Sequence, residues 1–436
     1  MVRFLFFITI GFLFACDREE GRIVGTAEIA YLQTFGGERN EQAVDLLIDP
    51  DGGYWVLAET QSTAVEDINR SGNDYDYWLL KFSASHQLLF QRLLGGNLND
   101  RPSRILSLAD NHLLLAGSTS SPPSAGLQDF WLQKLASDGT TIWQHTYGFA
   151  GVETAYDALK LPNGDIIVVG IIDVTASQGQ GNTVDSKSTQ KHAGGDYWVL
   201  RINANGELLW SNYFGGTNTD TAYAVQAASN GQLLVLGTSD SEDFDVLNNQ
   251  GSYDGWLTLL GPEGNLLQQA NFGGTQIENI RSLVAIPDGG FYVVGDTRSS
   301  DGDIAHALGG ADIWVVKINT ALQIQWEKTF GGPDFESAYD AKISPEGDLV
   351  VVGSSRSSIG DFSENKGNND AFALAIDAQG NVRWQKTWGG SNFDRAYRLA
   401  LHPEQGFMIV GATASVDGDI SSTQGFNDIF VTHLVP

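Results

Sequence analysis

The chain has 436 residues, with 53 acidic against 25 basic side chains and a formal charge of −28. So negative a surface repels nucleic acid and anionic lipid headgroups, while favouring solubility and association with cations. Hydrophobic residues make up 42% and aromatics 11%, a composition that excludes disorder despite 51 glycines.

The first fifteen residues read as an export signal. Arg3 supplies a positive charge, residues 4–14 an apolar run, and Ala15 a small residue before Cys16. That run is too short for a membrane-spanning helix, which takes ~20 apolar residues. Leu13-Phe14-Ala15-Cys16 resembles the lipobox of bacterial lipoproteins, which implies that Cys16 is lipidated and becomes the mature N-terminus. The alternative is an ordinary cleaved signal with an incidental cysteine. Cys16 is the single cysteine, so an exported chain of this kind has no internal disulfide and relies on core packing. Residues 16–26 read as the lipid-bearing cysteine and a polar tether reaching at most ~35 Å. Asp17-Arg18-Glu19-Glu20 resembles the surface-export signal of Bacteroidota lipoproteins, implying an outer-membrane or cell-surface address; aspartate after the cysteine reads as inner-membrane retention in enterobacteria.

Beyond the tether the sequence repeats seven times. The marker is an F-G-G-like pair at Gly36-Gly37, Gly95-Gly96, Gly148-Phe149, Gly215-Gly216, Gly273-Gly274, Gly331-Gly332 and Gly389-Gly390, with the last three intervals 58 residues each. Four residues after each pair stands an acid: Glu41, Asp100, Glu153, Asp220, Glu278, Glu336 and Asp394. Twenty-one residues after it a small residue closes an apolar run: Ala58, Gly117, Gly170, Gly237, Gly295, Gly353 and Gly411. An Asp-x-aromatic pair follows, at Asp76, Asp129, Asp196, Asp254, Asp312, Asp370 and Asp428. All length variation falls between the small residue and that aspartate.

Each unit reads as four short strands. Trp326-Glu327-Lys328-Thr329-Phe330 exemplifies the first, residues 338–343 the second, Leu349-Val350-Val351-Val352 the third and Trp314-Val315-Val316-Lys317-Ile318 the fourth. Pro287-Asp288-Gly289 and Ala204-Asn205-Gly206 mark the short turns. Four strands repeated seven times predict an all-β fold, the seven-bladed β-propeller, over 27–436. The repeat region opens on a first-type strand (31–35) and closes on a fourth-type strand (429–434), so the N-terminal strand is expected to complete the last blade and hide its edge. The pattern W-x-K-T-F-G-G, acid, apolar-G, S-x-D-G-D, D-x-W-V-V-K-I resembles β-propeller repeat lipoproteins and secreted proteins of Bacteroidota. That resemblance implies architecture and address rather than chemistry.

Antiparallel connectivity places the G-G turns and the variable segments on one face, where binding loops are expected. Ser62, Ser121, Ser241, Ser299, Ser357 and Ser415 recur there at one position. The candidate binding residues are Asp67, Lys187, Lys191, His192, Asp245, Asp301, Asp303, Asp361, Asp417 and Asp419, with the third unit's loop (171–195) the longest. Asp301, Asp303, Asp417 and Asp419, in D-G-D patterns, are also candidate calcium ligands, although no complete calcium loop with a spaced bidentate glutamate is present. The competing reading is that these acids cap the N–H groups of their own turns. Recurrence in every unit favours capping for the Glu41-type and Asp76-type acids; the D-G-D loops fit either.

Trp78, Trp131, Trp198, Trp256 and Trp314 occupy one strand position and read as inter-blade packing rather than sugar platforms. Trp55 and Trp388 fall outside that position and are candidates for surface contact. The seven histidines show no metal-hydrolase spacing, and no nucleophile motif or phosphate-cradling loop appears. The expected function is a non-enzymatic module binding protein or glycan, anchored to a membrane through lipid and without nucleic acid or cofactor, calcium aside. The alternatives are a glycan-active enzyme with two acids facing across the channel, and an envelope assembly factor, since Asn205-Gly206…Trp210 faintly resembles quinoprotein-like propeller repeats.

Overall fold

The computed structural model describes residues 25–65, 68–69, 72–184, 192–287 and 289–436. The signal segment, Cys16 and most of the tether, with Asp67, Lys187 and Lys191, lie outside the described residues. Seven antiparallel sheets of four strands are arranged in a ring. Their inner strands touch in a closed circuit, Glu41–Ile48 meeting both Asp100–Ser107 and Asp394–Leu401. From the axis outward the first blade is Glu41–Ile48, Tyr54–Thr60, Asp76–Phe82 and Leu88–Leu94.

The seventh blade consists of Asp394–Leu401, Phe407–Thr413 and Asp428–Val435, with Glu28–Phe35 as its outer strand. Pairing runs from Glu28 opposite Val435 to Phe35 opposite Ile429, so the N-terminal strand closes the ring. The fold is the seven-bladed β-propeller that the repeat predicts. One offset matters: the aromatic–threonine strand of each sequence unit is the outer strand of the preceding blade.

Two middle strands per blade are buried on both sides, which accounts for their unbroken apolar runs. The buried side chains gather into seven clusters, one at each blade–blade interface. Trp78, Trp256 and Trp314 are fully buried and Trp198 is 2% exposed, all within these clusters. Trp55 and Trp388 correct the surface-contact expectation, being 5% and 0% exposed. Trp55 lies under the Lys81 ammonium and Trp388 packs edge-on against Phe430.

Every inner strand carries a bulge, with the register slipping between Ala43 and Asp45 and between Ala338 and Asp340, and likewise in the other five. The close approach of the two strands at the bulge explains the glycine that closes six of the seven apolar runs, Ala58 standing there in the first. A Cβ on Gly353 would fall on the carbonyl oxygen of Ser337 across the pair. The bulge also re-aims the side chains that follow, and these meet around the axis.

Candidate functional site

On the loop-bearing face each G-G turn presents successive backbone N–H groups, and the chain's own side chains occupy them. The second N–H of all seven pairs donates to the Glu41-type acid four residues on, at 2.7–2.9 Å. The first, in Gly215, Gly273, Gly331 and Gly389, donates to Asp245, Asp303, Asp361 and Asp419 at 2.9–3.3 Å. The next N–H, in Thr217, Thr275 and Ser391, goes to Asp243, Asp301 and Asp417 at 2.7–2.9 Å. The recurrent serines accept the one after that at 2.9–3.1 Å.

Asp303 also accepts from Gln250 Nε2 at 2.7 Å, and Asp419 pairs with Lys366 Nζ at 2.5 Å. The structure thus brings the D-G-D acids onto the turns of their own blade interfaces. Among the described residues no group of three or more His, Cys, Asp or Glu side chains is arranged to hold a metal ion.

The Asp76-type aspartates form a second buried ring. Asp129, Asp254, Asp312, Asp370 and Asp428 each accept the N–H four residues before them, at 2.6–3.0 Å. In the third blade His192 takes over that role, its Nδ1 lying 2.5 Å from Asp196 Oδ2. His192 is 5% exposed and sits between the Tyr213 and Phe244 rings, 5.2 and 5.9 Å away.

The second oxygen of these aspartates and the Glu41-type carboxyl together fill the space where a Cβ on the first glycine of the pair would lie. A side chain at Gly273 would meet both Asp254 and Glu278, so only glycine fits. Two carboxyls packed together cannot both ionise cheaply. Burial, with Glu278 adding to it, raises Asp254 to about 7. Asp220 is raised to about 7 by burial and Asp196, and Asp370 to about 6 by burial and Asp394. Glu153 rises to about 7 through burial and Asp129; Val174 stands where the other blades have the capping serine.

Halfway along the inner strands lies a belt that the sequence reading did not identify. Asp45, Arg104, Asp157, Ala224, Ser282, Asp340 and Arg398 share one repeat position, eight residues after the pair. Arg104 spans Asp45 at 3.3 Å and Asp157 at 3.1 Å, and Arg398 approaches Asp340 at 3.7 Å. The free oxygens of Asp45 and Asp157 accept the Ile105 and Val225 N–H groups of the next blades. The signal was the alternation of acid and arginine in that column. Nearer the loop face, Tyr156 meets Tyr223 at a tilt and Tyr339 meets Tyr397 edge-on, each pair with ring centres 4.9 Å apart, and Arg281 lies over Tyr339.

Glu59 and Asp296 are buried acids at a shared position beside this channel mouth. Burial raises both, against the pull of Arg101 and Arg281 respectively. Glu59 is held by Arg101 at 2.7 Å and Asp296 by Asn279 at 2.9 Å.

The polar composition of the loops also hid an apolar surface. Ten of the sixteen large hydrophobic side chains exposed among the described residues lie on the loop-bearing face. Leu98, Val152, Phe335 and Phe393 belong to the G-G turns; Leu127, Phe244, Leu247, Ile359, Val416 and Phe426 belong to the variable loops. Five of the other six lie on outer strands, which leaves the short-turn face nearly bare of them.

Seven four-stranded blades closed by the N-terminal strand, uniform at one end and diversified at the other, define a seven-bladed β-propeller. No family model matches the chain. It is 24% identical over 285 residues to the regulatory protein FlaEY of Caulobacter vibrioides, covering 61% of this chain and 29% of that protein. The chain therefore spans under a third of that relative's length. Among solved structures it resembles the Pan2 WD40 domain of Neurospora crassa, with a TM-score of 0.50, 11% identity, and 90% and 89% of the two chains covered. It also resembles BBS1N, solved in complex with ARL6DN, with a TM-score of 0.51, 11% identity and coverage of 95% and 98%. At such identities the likeness is one of fold.

Proposed function

We propose that this propeller is an exported, lipid-anchored binding module, without catalytic activity of its own, that docks a protein through its loop-bearing face. The observation that carries the reading is that ten of the sixteen exposed large hydrophobic side chains share the loop-bearing face, since apolar exposure gathered on one face of a folded surface marks an interaction site. The rigid capped turns support it by holding those side chains in place. BBS1N, a propeller of similar fold, was solved bound to ARL6DN, which fits a protein-docking role. Anchoring rests on the lipobox-like segment ending at Cys16.

Affinity capture from an envelope extract, with and without a calcium chelator, tests the reading. A specific partner lost on Phe335→Asp and Phe426→Asp supports it, and a chelator effect on capture that Asp301→Asn and Asp417→Asn abolish would assign calcium to the D-G-D loops. Capture of a membrane assembly complex would favour the assembly-factor alternative. Turnover of a glycan or peptide by the purified chain would overturn the non-enzymatic part. For the anchor, Cys16→Ser is expected to abolish labelling by palmitate.

A further inference from the structure

Between the seventh and first blades a cavity of about 370 Å³ opens on the loop-bearing face. One wall is Arg395, the second residue of the inner strand Asp394–Leu401. Its guanidinium lies beside the Tyr397 phenol, which raises it against the effect of burial, and 5.7 Å from the Phe393 ring centre. Among the described residues no carboxylate lies within ion-pair range of it. The other inner-strand arginines are engaged with acids: Arg101 with Glu59, Arg104 with Asp45 and Asp157, Arg281 with Asp296, Arg398 with Asp340. In a chain of charge −28, an arginine with no ion-pair partner among the described residues, in a cavity whose two carboxylates are held by other groups, is a place prepared for an anion from outside.

The rest of the lining supplies amides, an aromatic face and two carboxylates. Glu41 is held by the Gly37 N–H and the Thr60 and Ser62 hydroxyls, and Glu59 by Arg101. Asn40 and Asn427 are joined at 2.8 Å, Gln42 lies beside them, and Tyr75 is covered by Arg101 at 3.8 Å. Phe393, 45% exposed, offers a second ring at the rim. We infer that this cavity binds a sugar carrying a carboxylate, the carboxylate on the Arg395 guanidinium and the apolar face of the pyranose on Phe393. The volume admits a small saccharide rather than a folded partner. Amides and the Glu59 carboxylate match hydroxyls, and the planar guanidinium matches a carboxylate through two parallel hydrogen bonds. A peptide C-terminus is the poorer fit, because a carboxylate of that kind is captured by backbone N–H nests. Here the Gly37 and Gly390 N–H groups are already held by Glu41 and Asp394.

The inference rests on the loop-bearing face being a binding surface, yet the two separate by experiment. Calorimetric titration of the full chain compares a hexuronate disaccharide, its neutral hexose counterpart and a short peptide with a free C-terminus. The acidic sugar is expected to bind at least about tenfold more tightly than the neutral one. Arg395→Gln should erase that preference at an unchanged melting temperature, and Arg395→Lys should keep part of it. Phe393→Ala, a change at an exposed side chain, should weaken both sugars alike. Equal binding of the two sugars, tighter binding of the peptide, or an acidic preference surviving Arg395→Gln would overturn the assignment. Partner capture that fails while the uronate still binds sinks the docking proposal alone, and the converse result sinks this one alone.

Discussion

The paired carboxyls at the G-G turns make stability fall as pH rises through the neutral range. Asp254 shows the effect best. It is buried, lies with Glu278 against Gly273, and is raised from 3.8 to about 7 by burial first and by Glu278 second. A folded-state value above the unfolded one means that the native protein binds this proton more tightly. The associated stabilisation is complete below about pH 4 and is gone above about pH 7. The difference between 3.8 and about 7 corresponds to about 4 kcal/mol, and solvent at the loop face reduces the usable part to about 2 kcal/mol. Asp254→Asn keeps an acceptor for the Gln250 N–H but cannot ionise. The assay is denaturant unfolding of parent and variant, followed by tryptophan fluorescence at pH 5.5 and pH 8. About half of that titration lies between the two conditions, so the parent should lose about 1 kcal/mol more than the variant. A gap that stays constant with pH would show that Asp254 is already ionised at pH 5.5 and would refute the shared-proton account. Calcium behaves oppositely: if a cation bridged the pair, chelator would destabilise the parent at pH 8 and leave the variant unchanged.

Three further outcomes follow from the same geometry. Arg104→Met leaves Asp45 and Asp157 without their shared counter-charge; an unfolding midpoint reporting a loss of about 3–5 kcal/mol is expected, partly restored by adding Asp45→Asn. Ser415→Ala removes the hydroxyl between Asp394 and the Asn392 N–H, which should cost about 1–3 kcal/mol by the same measurement. Deleting residues 25–35 uncovers the edge of Asp428–Val435, and light scattering should then report self-association that the parent does not show.

The propeller was legible because its signals are local and repeated. Alternation, turn residues and the apolar third strand recur on one grid, and the strand left over at each end of the repeat region implied closure. The turn chemistry was half legible. Recurrence of Glu41-type and Asp76-type acids pointed to capping, but nothing local distinguished Asp301 and Asp303 as caps from the same residues as cation ligands. Their targets, the Thr275 and Gly273 N–H groups, lie 26 and 30 residues away in the chain. Departure from the tryptophan column does not mean exposure for Trp55 and Trp388, which are 5% and 0% exposed. Trp55 instead stands on a doubly covered middle strand, and Trp388 ends an outer strand that packs against the next blade.

The sequence by itself determined the blade count, the closure and the division into a uniform and a variable face, since each follows from hydrogen bonding and burial within one repeat length. Only the tertiary structure decided which residues of different blades meet. The charged belt of Asp45, Arg104 and Asp157, the carboxyl pairs at each first glycine, and the unmatched Arg395 beside Phe393 arise when the ring closes. Closure sets inner strands some sixty residues apart within hydrogen-bonding distance, as when Ile105 donates to Asp45. Coulomb forces and desolvation act through space and not along the chain, so the identity of those neighbours is a property of the folded ring alone.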